Sequence, residues 1–358
     1  MRRSLAAVAL VAACSSGSAV PSPTRTSLPP STPSPGAAAA QDWTTYGGDT
    51  QRASNVAGPD PSGAAVAWKA ALDGRVYGSP LVVGGRVIAA TEGGSLYALD
   101  LLTGRVRWRR HLAAPLPGSA LPCGNIDPIG FTGTPVYDPR TGLVFAVATE
   151  SGVRHVLYGV RATTGTVGLT RVVDVPGMDP TTHLQRAALL LSGATVYIAY
   201  GGNYGDCGQY RGRVVAAPTS GSGPLRSFTV PTRREAGIWG ASGPALLGTD
   251  VLVTTGNGAS TGGAWDSSDS VLRLSAALGL KDGFAPKNWA KENSDDADLG
   301  SMGPLLLTGG RRVLTAGKGG NAFLLDVDQL GGVDGQLSVL GGCQAYGGGA
   351  VTANGALL

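Results

Sequence analysis

Few side chains in this 358-residue chain have the spacing that reaction chemistry needs. The three histidines, His111, His155 and His183, share no H-x-x-x-H spacing, so no zinc site follows from them. No G-x-S-x-G turn presents a nucleophilic serine. The Gly- and Ser-rich run from Gly248 to Gly263 lacks the Gly-Lys-Ser/Thr that cradles phosphate. The best polar cluster is His183-Leu184-Gln185-Arg186, just ahead of the apolar Leu189-Leu190-Leu191. It has two readings: polar groups lining a binding mouth, or a buried arginine bonded to backbone carbonyls. Charge is densest from Lys281-Asp282 to Asp295-Asp296-Ala297-Asp298, the pattern of a long solvated loop. Trp265 and Trp289, in or beside that loop, are either partner-contacting aromatics or packing residues.

The cysteines speak to location. Arg2 and Arg3 precede the apolar run Leu5 to Ala13, which is too short to span a bilayer. Val11-Ala12-Ala13-Cys14 is similar to a bacterial lipobox, which implies cleavage before Cys14 and its lipidation. A chance cysteine in an ordinary signal peptide is the alternative. Residues 15–41 are Ser, Pro, Thr, Gly and Ala with little to bury, so they form a disordered tether. Residues 1–14 are thus a lipoprotein signal, 15–41 a tether and 42–358 the fold. The expected location is outside the cytoplasm, lipid-anchored at the outer face of the bacterial cytoplasmic membrane. Cys123, Cys207 and Cys343 are an odd number for an oxidising compartment. Either Cys343 has a partner beyond residue 358 or one of the three stays reduced.

The elements that must position these residues are strands. With 57 Gly and 23 Pro the chain cannot be mostly helical, and no strict Gly-X-Y period makes it collagen. Hydrophobic residues, 42% of the chain, suffice for a core, and a scattered net charge of +4 gives no argument for nucleic acid. Short β runs recur. Gly78-Ser79-Pro80-Leu81 is followed by Arg86–Ala90, Ser95–Asp100 and Thr103-Gly104-Arg105-Val106-Arg107-Trp108. The pattern restarts at Thr132, Arg186, Ala241 and Ser301. Four strands per unit, repeated, predict an all-β fold, a β-propeller of four-stranded blades, because packing blades around an axis buries both faces of each sheet. A β-sandwich or two unrelated β domains is the alternative. Five complete units and a partial sixth, from Ala345 to Val351, are present, and the chain looks cut short of seven or eight.

The units resemble the quinoprotein propellers, the fold of dehydrogenases that use pyrroloquinoline quinone (PQQ). Tyr97-Ala98-Leu99-Asp100-Leu101-Leu102-Thr103-Gly104-Arg105-Val106-Arg107-Trp108 is similar to their blade signature, whose Trp docks neighbouring blades. Asp42-Trp43-Thr44-Thr45-Tyr46-Gly47-Gly48-Asp49 resembles their first strand. Non-enzymatic relatives, including the propeller that assists outer-membrane protein assembly, share the signature, so it does not fix the chemistry. In the enzymes a quinone stacks on a Trp at the axis beside calcium. The resemblance implies Trp239 as that platform, Asn257 as a metal ligand, Asp295 as general base and Lys318 as the cation on the quinone. Two departures count against the enzyme. Cys207 stands where a ligand Glu is expected, and Cys123 is alone where the family has a vicinal Cys pair. With both segments at the axis, a Cys123–Cys207 disulfide is implied, in place of the metal. Axial loop positions such as His183, Gln185 and Arg186 often line a propeller mouth.

Two functions follow as expectations. The first is a monomeric, lipid-anchored binding or scaffold module with a degenerate cofactor site. It would need no cofactor and would hold a protein or small-molecule ligand at the propeller mouth. The alternative is a PQQ- and calcium-dependent alcohol or sugar dehydrogenase.

Overall fold

The computed structural model describes residues 42–56, 63–307 and 309–352. The signal at 1–14, its Cys14 and the tether at 15–41 lie outside the described residues. Within the described residues the chain forms five antiparallel meanders. Sheet 1 is β1 (Leu81–Val83), β2 (Arg86–Ala90), β3 (Ser95–Asp100) and β4 (Val106–His111). Sheet 2 is β5 (Val136–Asp138), β6 (Leu143–Glu150), β7 (Arg154–Arg161) and β8 (Val167–Val172). After a short β9 (His183–Leu184), sheet 3 is β10 (Leu190–Ser192), β11 (Thr195–Gly202), β12 (Arg213–Pro218) and β13 (Arg226–Thr229). Sheet 4 is β14 (Ala245–Leu247), β15 (Asp250–Thr255), β16 (Ser270–Leu274) and β17 (Leu280–Ala285), followed by the helix α1 (Trp289–Asp295). Sheet 5 is β18 (Leu305–Leu306), β19 (Arg312–Ala316), β20 (Asn321–Asp326) and β22 (Ser338–Gly341). Between the last two, β21 (Gly332–Val333) pairs in parallel with β17. The first strands of successive sheets are neighbours, β1 to β5 to β10 to β14 to β18, so the sheets stand around a common axis as in a β-propeller.

Sequence period explains the packing. Successive strand residues point to opposite faces, and in β6 all eight residues are buried. Val144, Ala146 and Ala148 face sheet 1 and pack with Leu81, Ile88 and Leu96. Leu143, Phe145 and Val147 face sheet 3 and pack with Val196, Ile198 and Val215. The same division repeats between sheets 3 and 4 and between sheets 4 and 5. Each middle sheet is therefore apolar on both faces, which is why its strands read as continuous apolar runs. Outer strands such as β4 are exposed instead. The tryptophan signature also has a physical basis. Trp108 Nε1 donates to Ala162 O at 2.9 Å. Its ring covers Gly165, whose positive φ (71°) and lack of a Cβ admit it. Trp68 covers Gly104 of sheet 1 in the same way.

Residues 43–53 run through the middle of the ring. Trp43 exchanges hydrogen bonds with Val82 of sheet 1 at 2.7 and 2.9 Å. The Tyr137 amide donates to Thr44 O (2.9 Å), that of Leu246 to Thr50 O (2.8 Å) and that of Leu306 to Gln51 O (3.1 Å). The Val351 amide donates to Ala53 O at 2.8 Å. Arg52 reaches what is left: its guanidinium donates to Leu189 O (3.1 Å), Pro244 O (2.9 Å), Tyr46 O (3.1 Å) and Thr45 Oγ1 (2.7 Å). It is 1% exposed. Burial lowers its pKa to about 10, against the raising influence of Asp49 and Tyr46, so it stays charged at neutral pH. An Arg52→Leu substitution strands three carbonyls and a hydroxyl. At roughly 1–3 kcal/mol for each buried group left unpaired, the expected result is a loss of more than about 3 kcal/mol, read as a lower urea midpoint.

Candidate functional site

A cavity of about 1090 Å³ opens at one end of the axis. The segment through the ring forms part of its lining, with Trp43, Tyr46, Gly47 and Ser54. Trp239, Asn257, Asp298, Lys318 and Arg186 line it too. Tyr77, Tyr204 and Tyr346 are also in the lining and are 50%, 71% and 63% exposed. Two glycines make room for the tryptophan. A Cβ at Gly201 would lie 2.8 Å from Trp239 Cβ, and one at Gly256 would lie 2.8 Å from Trp239 Nε1. The Ile238 amide ties the preceding residue to Tyr200 O of β11 at 3.1 Å.

Two cations sit against the Trp239 ring, Arg186 at 5.2 Å and Lys318 at 5.6 Å from its centroid. They differ in their partners. Lys318 Nζ bonds Asp298 Oδ2 at 2.6 Å and Asp296 Oδ1 at 3.0 Å. Burial alone would lower the lysine pKa, but the two carboxylates outweigh it and raise it. Asp298 Oδ1 accepts the Asn257 amide at 2.7 Å. Arg186, by contrast, has no hydrogen bond or ion pair among the described residues. Its charge is offered to whatever enters.

The structure brings together four of the residues singled out in the sequence: Trp239, Asn257, Lys318 and Arg186. It does not bring Asp295. That residue ends α1, is 48% exposed on its side chain, and pairs with Lys291. The chain reverses at Asp296, in the left-handed region at φ 53°, and it is Asp298 that turns inward. A run of three closely spaced aspartates does not reveal in sequence where the helix stops. His183 is buried beneath the mouth, with Nδ1 2.7 Å from Asp179 O and Nε2 3.2 Å from Arg211 O. Burial lowers its pKa, while its contacts to the Asp179 and Arg211 carbonyls oppose that shift, and both contacts tie it to the fold. Gln185 Nε2 donates to Ala187 O at 2.6 Å, also a supporting contact. Arg186 is exposed rather than bonded to carbonyls; the arginine with that role is Arg52. Trp289 is buried, and Trp265 packs beside the core with Nε1 donating to Ser270 Oγ, so both are packing residues.

Cys123 and Cys207 form a disulfide, their Cα atoms 6.1 Å apart. It joins the loop that carries Asn125 and Ile126 to the loop that carries Tyr204 and Asp206, all four lining the cavity. The tyrosines of the lining escaped the sequence reading. Their signal was there: in a chain with 6% aromatics, Tyr204 and Tyr346 sit in Gly-rich loops rather than in strands.

These residues do not fit a calcium-bound quinone. Calcium takes about six to eight oxygen ligands. Both Asp298 oxygens are already engaged, and Cys207 is held in the disulfide. Among the described residues no cluster of three or more His, Cys, Asp or Glu side chains is placed to hold a metal. Arg186 and Lys318 crowd the ring on which a quinone would stack.

The family model described as outer membrane protein assembly factor BamB matches residues 22–204, about half of the chain. The chain belongs to the BamB family. The assembly factor BamB of Moranella endobia (strain PCIT) is 25% identical over 157 residues, which is 44% of this chain and 37% of that protein. The chain thus matches little more than a third of that relative's length. BamB from Moraxella catarrhalis superposes at a TM-score of 0.50 with 14% identity, over 80% of this chain and 68% of the other. Quinohemoprotein alcohol dehydrogenase from Comamonas testosteroni superposes at 0.61 with 18% identity, over 90% of this chain and 52% of the other. At such identities the structural likeness shows the propeller fold alone, common to BamB and to quinoprotein dehydrogenases.

Asp269 lies under the site, fully buried. Its Oδ1 accepts the Leu299 amide at 2.9 Å, and its Oδ2 has no partner among the described residues. Burial pushes its pKa up to about 8, with Asp298 and Glu292 adding to the rise. Below about pH 4 the carboxyl is protonated in both folded and unfolded chains; between about 4 and 8 only the unfolded chain ionises. Stability from this group is therefore full at the acid end and lost as pH rises toward 8. Asp269→Asn keeps the shape without the titration. The expected outcome is a higher urea midpoint than the parent near pH 8, and no gain near pH 4.

Proposed function

We propose that this BamB-family chain is an exported, lipid-anchored scaffold module that holds a protein partner at its axial mouth and carries out no chemistry of its own. The observation that carries the reading is Arg186: a mouth-facing arginine without a counter-charge, against Trp239, with exposed tyrosines in the same lining. Tryptophan, tyrosine and arginine are the side chains that concentrate binding energy at interfaces. The names of the relatives, outer membrane protein assembly factors, support a protein partner. The leader and the residues from Ser15 to Gln41 support export and anchoring through Cys14. The cofactor site is then a degenerate one, and the chain acts as a monomer.

A photo-crosslinking residue in place of Tyr204 in the full chain, in its native host, should trap one dominant protein. The same residue at Val172, exposed on the outer strand β8, should not. Arg186→Ala should cut the crosslinked yield about tenfold or more. Equal yields from both positions would end the reading. The dehydrogenase alternative is checked on the same preparation. Added PQQ and Ca²⁺ should leave the thermal midpoint unchanged, whereas a saturable rise would revive the enzyme, since a ligand of the native state must stabilise it.

A further inference from the structure

We infer that the outer edge of sheet 1 is a docking surface for anionic phospholipid headgroups. Charge gives the first argument. Residues 63–111 hold seven Lys and Arg against three Asp and Glu, and their net +4 equals that of the entire chain. Glu92 is buried, bonded to the Gly130 amide, so it does not act at the surface. Asp100 and Asp73 pair with Arg107 and Arg109. Lys69, Arg105 and Arg110 are exposed and have no carboxylate partner among the described residues; Arg75 donates to Tyr77 of the cavity lining and is not part of this edge. Four of the arginines fall within six positions, on β4 or in the turn before it, and the outer edge of β4 pairs with no described strand. Guanidinium groups and free strand amides are both donors suited to phosphate oxygens.

Apolar exposure gives the second, and it separates a lipid surface from other polyanions. Leu102, in the turn before β4, is 84% exposed, Val66 is 74% exposed and Val106 is 52% exposed. Trp68 rests on Gly104, so the segment with Val66 and Lys69 lies against the turn with Leu102 and Arg105. Arginines beside bare aliphatic side chains match a membrane interface, where the cations meet phosphate and the aliphatic groups enter the acyl boundary. Nucleic acid offers nothing to the leucine.

This surface is independent of the mouth and stands or falls alone. The test uses the chain from Ser15 onward, so that neither the apolar leader nor an acyl chain contributes. Cosedimentation with mixed phosphatidylglycerol–phosphatidylcholine vesicles should be strong at low salt, fall as salt rises, and be absent with phosphatidylcholine alone. Each arginine near an anionic surface is worth roughly fivefold in binding. Leu102→Ser/Arg105→Ser, which removes no hydrogen bond of either side chain to the fold, should weaken binding about tenfold with the thermal midpoint unchanged. Arg105→Lys alone should retain binding. Equal binding to neutral vesicles overturns the inference, as does undiminished binding by the double variant. Duplex DNA binding as tightly as the anionic vesicles also overturns it, by making the patch a general polyanion site.

Discussion

The arrangement depends on how carbonyl groups at the centre of a ring are satisfied. Sheets that stand around an axis bring their first strands together, and peptide groups there are cut off from water. Buried carbonyls without donors are costly. The segment from Trp43 to Ala53 satisfies the amides, accepting those of Val82, Tyr137, Leu246 and Leu306, and donates to Val82 O through Trp43; Arg52 supplies donors to the carbonyls of Leu189 and Pro244. A guanidinium suits the task because its donors lie in a fixed fork and its charge resists loss even when desolvated. A lysine would offer one compact head where several directions are needed.

The same segment also lines the mouth, so the ring and its cavity share one support. Trp43 pairs with the inner strand of sheet 1 and, with Tyr46 and Gly47 of the same segment, forms part of the cavity wall. Above them, glycines at 201 and 256 leave the space that Trp239 fills. The electrostatics are uneven by construction. Lys318 is neutralised by Asp298 and Asp296, and Arg186 is not. Among the described lining residues, Arg186 is the cation without a carboxylate partner, and Asp206, bonded to the Tyr210 hydroxyl, is the carboxylate without a cation.

Much of this was legible in the residues. Sheets begin just after the recurring small-Gly-Pro or small-apolar starts, because those starts are where chain leaves the axis and side chains must be small. The blade signature predicted Trp108 at a sheet-to-sheet joint, and the structure places it on the Gly165 turn. Trp239 and Asn257 could be paired through the family resemblance, and the structure places both in the cavity lining. Asp295 could not be distinguished from Asp298, because side-chain direction changes with every residue around a helix end. Arg52 was invisible. Nothing local marks it out, and every carbonyl it bonds beyond Tyr46 belongs to chain more than a hundred residues away. Contacts of that range leave no period or spacing to read.

The pairing of Val351 with Ala53 has a consequence for how the molecule comes to be made. The stretch that leads the fold has its bonding partners spread over the three hundred residues that follow. Beyond its early pairing with Val82, its bonds to the later sheets form only once those sheets stand beside it. Closing such distant contacts is slow, because the entropy of the long intervening chain is lost before the bonds form. The first part of the fold to emerge is thus among the last to settle, and during that interval the polypeptide is most exposed to proteases and to aggregation.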